Sequence, residues 1–78
     1  MRKVKPDRVA EKLELNIRWL MTRQNITAND MAARMGWSAP TWRARMSNPA
    51  SFTLAEIVAI AGIFDVPVEN MLCIQMHV

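Results

Sequence analysis

Cysteine occurs once in this 78-residue chain, at Cys73, and glycine only twice, at Gly36 and Gly62. A single thiol closes no internal disulfide, so nothing covalent staples the domain and a reducing cytoplasm is the expected compartment. With four prolines and no Ser- or Gly-rich tract, the composition is that of a packed domain, not of a disordered tail. The polar–apolar alternation of strands is nearly missing. No apolar run approaches the about 18 to 20 residues of a membrane span, and Asp7, Glu11, Glu14 and Asn16 interrupt every candidate signal-peptide core behind the basic start. The expectation is a protein that is neither exported nor membrane-bound.

The groups that catalysis needs are lacking too. There is one histidine, His77, no Gly-rich phosphate loop, no carboxylate pair in a plausible cleft and no metal-ligand spacing. No enzyme activity, cofactor, metal or small-molecule substrate is therefore expected.

The last absence is of charge of one sign. No lysine or arginine follows Arg45: residues 1–45 hold all ten cations against four acids, a balance of +6, whereas residues 46–78 hold three acids and no cation, a balance of −3. The net +3 hides this division. A basic half on a small domain is the electrostatic footprint of a nucleic-acid binder, and the other half is free to face a different partner.

What remains is apolar and helical. Half of the residues are hydrophobic, seven of them methionine, and a chain of this length builds one core and one domain. Three helix starts share one design, a Ser or Thr cap with an apolar residue before it and another four positions into the helix. Thr27 caps with Asp30 as its return partner and Ile26 facing Met31; Thr53 caps with Glu56 and Phe52 facing Ile57. Ser38 caps with Pro40 in the first turn, and Trp37 facing Trp42, so the two indoles fix the angle at which that helix leaves the turn.

Periodicity and breakers give the rest. A helix is predicted over 8–24, with Val9, Leu13, Ile17 and Leu20 inward, and a second over 28–35, ended by Gly36. A third spans 39–47 and stops at Asn48-Pro49. A fourth spans 54–64, with Leu54, Ile57, Ala61 and Phe64 inward, and a last turn lies near Pro67 to Leu72. The fold class is all α. Trp19 and Leu15 fall off the core stripe of the first helix. The second and third helices are joined by Gly36-Trp37-Ser38 alone, the short corner that a DNA-binding helix-turn-helix uses.

With these positions in place, the chain resembles the Cro and repressor type of phage helix-turn-helix proteins over about residues 13–72. It is most similar to a phage-associated subset whose third helix carries Ser38, Thr41, Trp42, Arg45 and Met46, followed by Pro49 and the Phe52-Thr53-Leu54 cap. The resemblance implies a compact five-helix, lambda-repressor-like domain, a transcriptional regulator that commonly works as a homodimer on double-stranded DNA, with the third helix in the major groove. The chain departs from the pattern in two respects. Ala28 stands where many members have a phosphate-contacting Gln, and Ala39, Pro40 and Ala44 stand where Gln, Asn or Arg often read bases.

With Trp42 turned inward, a helical wheel puts Met46 and Ser38 on the buried side and centres the outer face on Pro40 and Ala44. The expected base contacts are Ala39, Pro40, Thr41, Arg43 and Ala44. Only Arg43 can form the bidentate pair with guanine, and the small residues can meet thymine methyls or let the backbone sit deep in the groove. The expected phosphate contacts are Thr27, Arg34, Ser38 and Arg45, with Arg23 as a further candidate. Arg45 lies only ~60° from Trp42 on the wheel, so its stem is equally placed to lie along the core.

Residues 1–7 read as a flexible basic arm whose Arg2, Lys3 and Lys5 follow the DNA backbone, enter the minor groove, or stay mobile. Residues 73–78, with Cys73, Ile74, Met76 and Val78, read as an apolar segment that either packs back on the core or pairs with another copy. The rival function is a protein-binding antirepressor or antitoxin-like module on the same fold.

Overall fold

Thr27, Ser38 and Thr53 each adopt extended backbone and accept, on the side-chain oxygen, the amide three residues on, so three helices begin where a hydroxyl can satisfy an otherwise orphaned N–H. Each such cap stabilises its helix by about 1 kcal/mol. In two of them the bond is reciprocal: Asp30 accepts from the Thr27 backbone N–H at 3.2 Å and Glu56 from that of Thr53 at 2.9 Å. These contacts are seen in a computed structural model that describes residues 6–72.

The order is α1 (Pro6–Gln24), α2 (Ala28–Met35), α3 (Ala39–Ser47), a single 3-10 turn at Pro49–Ser51, α4 (Leu54–Phe64) and α5 (Val68–Leu72). The architecture is a small all-α domain of five helices, with no strand among the described residues. The expected arm at 1–7 lies largely, and the apolar segment at 73–78 entirely, outside the described residues.

Helix ends repeat one device as well. Asn25, Gly36 and Asp65 take left-handed backbone with φ of 58°, 76° and 59°. In each case the following amide reaches back to the carbonyl five residues earlier: Ile26 to Met21 at 2.9 Å, Trp37 to Ala32 at 2.8 Å, Val66 to Ala61 at 3.1 Å. These are Schellman closures, and Asn and Asp tolerate the left-handed region better than other residues with a Cβ. They turn the chain sharply after α1, α2 and α4.

α2 packs on α3, and α5 packs against both α1 and α4. The 3-10 turn, which the Asn48-Pro49 stop did not foretell, lies against α1. Leu13, Ile17 and Leu20 of α1 meet Met31, Trp42, Met46, Phe52, Ile60 and Phe64 in one core. Fully burying a side chain of this size contributes about 1.5–3 kcal/mol.

Three inward assignments need correction. Val9 is exposed because burial along α1 begins only at Leu13, one turn further on. Leu54 is 69 % exposed: it is the first residue of α4, and the core is closed at that end by Phe52. Ser38, placed inward by the wheel, is exposed because a cap residue stands outside the helical path. Ile60 and Asn16 take up buried positions instead. Asn16 donates to the carbonyls of Asn70 at 3.2 Å and Met71 at 2.8 Å, and Gln24 donates to that of Phe64 at 2.8 Å. Two α1 amides thereby hold the carboxyl-terminal ends of α5 and α4.

Candidate nucleic-acid interface

The corner between α2 and α3 is three residues long because Gly36 supplies the left-handed turn, Trp37 closes it and Ser38 starts the next helix. Trp37 lies 6.3 Å, centroid to centroid, from both Trp42 and Phe52, and Trp42 lies 6.1 Å from Phe52. The rings form a triangle beneath the corner. Such pairs contribute about 0.5–1.5 kcal/mol beyond their buried area, and here they fix α3 against the turn that precedes it. Trp42 and Met46 are the buried residues of α3.

That orientation leaves Pro40, Thr41, Arg43 and Ala44 exposed on α3, with Ala39 half-buried at its start. Their polar capacity is small. The Thr41 and Ser38 hydroxyls share a 2.9 Å hydrogen bond, and Ser47 donates to the carbonyls of Arg43 and Ala44. Arg43 forms no ion pair among the described residues, and it is the one long cation on this face without a partner.

The expected phosphate contacts divide. Thr27 and Ser38 are exposed, but both hydroxyls already serve as caps. At the start of α2 the amides of Ala28 and Asn29 have no acceptor among the described residues, and at the start of α3 those of Ser38 and Ala39 have none, Pro40 carrying no N–H. Each of the two helix starts thus has two N–H groups to give an anion. Arg34 is exposed one turn after Asp30 and makes no ion pair among the described residues. Arg23 lies over the half-exposed Trp19, 5.2 Å from its ring centre.

Arg45 is different. Its Nη1 donates to Glu56 Oε1 at 2.7 Å and to the Ser51 carbonyl at 3.0 Å, and its Nη2 donates to Glu56 Oε2 at 2.9 Å. Its guanidinium carbon stands 4.9 Å from the Trp37 ring centre and 5.9 Å from that of Phe52. Sequence reasoning saw Glu56 only as a cap partner and missed this pairing across eleven positions. The available signal was the charge order, since Arg45 is the last cation of the chain and Glu56 the first acid after it.

Both capping carboxylates are held below their ordinary pKa. For Glu56 the Thr53 backbone N–H is the main cause, followed by Arg45. For Asp30 the backbone and side chain of Thr27 lead, and the nearby Arg34 charge adds to them.

Elsewhere, a shallow depression at the end of α1 is lined by Arg18, Met21, Thr22, Asn25 and Ile26, with no pair of acid and base groups in it. Among the described residues no group of three or more His, Cys, Asp or Glu gathers as a metal site requires, and no helix is long and apolar enough to cross a membrane. Profiles of known protein families, curated proteins and solved structures give no match to this chain.

Proposed function

We propose that this chain is a double-stranded-DNA-binding transcriptional regulator of the phage Cro and repressor type, acting in the cytoplasm by binding and not by catalysis. α3 enters the major groove with Pro40, Thr41, Arg43 and Ala44 outward. The observation that carries the reading is the exposed α3 face, with its uncommitted Arg43, on a three-residue corner in the chain half that holds every cation. Arg43 reads one base pair, the small neighbours allow close approach, and DNA shape supplies further selectivity. Arg34, the Thr27 and Ser38 caps and the free amides at the start of α2 position the domain on phosphates.

The cation-free half faces a second copy in this reading, consistent with the exposed Leu54 and Val58 on α4. Two copies then read paired half-sites.

A second reading is supported by the same face: one base-reading side chain among alanine and proline also suits a protein surface. An antirepressor or antitoxin-like module would present α3 to another protein. Fluorescence anisotropy with a duplex from the gene's own upstream region, against a scrambled duplex, separates the two. The regulator prefers the upstream duplex, and Arg43→Ala erases much of that preference, by about 1–3 kcal/mol. An equal loss on both duplexes removes Arg43 as a base reader, and no binding at low salt favours the protein partner.

A further inference from the structure

The first cation that a phosphate-contact argument selects at the end of α3 is one that already uses three of its five N–H donors within the fold. Arg45 spends three N–H···O contacts on Glu56 and Ser51 and lays its guanidinium against Trp37. Its charge is met by a carboxylate that is only 21 % exposed and that also accepts the Thr53 amide. A phosphate taking the two donors that face Glu56 would have to displace that bidentate pair, and its negative charge would stand close to the Glu56 carboxylate. Meanwhile the pair spans three elements: Arg45 stands in the last turn of α3, Ser51 in the 3-10 turn and Glu56 in the first turn of α4. α3 has nine residues and buries two of them, so this bridge and the ring triangle add to its packing on α2 in holding its tilt.

We propose that Arg45 is a positioning residue that never touches the ligand: through Glu56, Ser51 and Trp37 it fixes the angle at which α3 presents Arg43 and its neighbours. This rests on the DNA-binding reading. Lysine keeps the charge but cannot make the two-pronged bond or the stacked contact, and glutamine at 56 keeps the cap while removing the charge that orients Arg45.

The discriminating readout is the dependence of duplex affinity on salt, because each phosphate neutralised adds about 0.9 to the slope of log K against log salt. Wild type, Arg45→Lys, Arg45→Met and Glu56→Gln are titrated with the upstream duplex across a salt series, after circular dichroism has shown each to be helical. Positioning gives a loss of about tenfold in Arg45→Lys and a similar one in Glu56→Gln, with the wild-type slope kept in both. Arg45→Met, if folded, behaves alike. A phosphate contact gives near-normal binding by Arg45→Lys, a slope lower by about 0.9 in Arg45→Met, and unchanged or tighter binding by Glu56→Gln. That pattern overturns the inference, as does wild-type affinity in both Arg45→Lys and Glu56→Gln. Binding by no form of the protein, wild type included, removes the DNA-binding reading itself and the inference with it.

Discussion

The side-chain amide of Asn16 donates to the carbonyl oxygen of Met71 at 2.8 Å, in the buried seam where α1 meets α5. A helix of five residues such as α5 cannot persist by itself, so this bond and the burial of Met71 hold it in place. Replacing Asn16 with Leu keeps the branched shape and the number of side-chain heavy atoms but leaves the carbonyls of Asn70 and Met71 without that donor. The variant should lose about 1–3 kcal/mol in urea denaturation, with amide exchange faster in α5 than in α2. Wild-type stability would show that the bond carries no net energy.

The two glycines should respond in opposite directions. Gly36 has φ of 76° and closes the corner before α3, so Gly36→Ala puts a Cβ into left-handed backbone at a cost of about 1–2 kcal/mol. Gly62 lies inside α4, and apart from its chain neighbours and the helix's own backbone no atom comes within 4 Å of where a Cβ would stand. Gly62→Ala should therefore stabilise by about 0.5–1 kcal/mol. Thermal melting of the two variants checks both signs.

Acid should weaken the fold through its capping carboxylates. The pKa values of Asp30 and Glu56 are depressed in the folded chain, so the stability that each contributes is complete above the ordinary carboxylate range of about 3.9 to 4.3. It is lost as pH falls through the lower folded-state values. Asp30→Asn and Glu56→Gln should each be less stable than wild type at pH 7 and closer to it at pH 3. A constant difference across that range would rule out the carboxylate charge as the cause.

How far the sequence carries depends on where the information is local. The bounds of α2, α3 and α4 were legible because each is written in a cap and a stop within a few residues, as at Thr27 and Gly36. The left-handed closures at Asn25 and Asp65 were not, since neither residue demands that conformation as glycine invites it. Tertiary neighbours decided the rest. Val9 and Leu54 fit the helical period but lie beyond the ends of the core, while Asn16 breaks the pattern and is buried because two backbone carbonyls meet it. On the candidate site, the outward face of α3 followed from one buried residue, Trp42, but the partner of Arg45 lay across a turn that sequence spacing does not describe.

The contrast between Leu54 and Ile57 measures that boundary. Leu54→Gln should change stability by no more than about 0.5 kcal/mol, as surface substitutions do. Ile57→Ala, three positions on and 8 % exposed, should cost about 2–5 kcal/mol. Equal costs from chemical denaturation would mean that Leu54 is covered in solution.

Amide chemical-shift mapping on the isotope-labelled protein, as the upstream duplex is added, tests the central claim most directly. If α3 enters the groove, the largest changes fall on Thr27 to Asn29 and on Ser38, Ala39 and Thr41 to Ala44, with the Arg43 side chain among them and Pro40 silent for want of an N–H, and those of Ile60 and Phe64 stay small. Shifts confined to the outer face of α4, or none at a duplex concentration that should saturate binding, would contradict it.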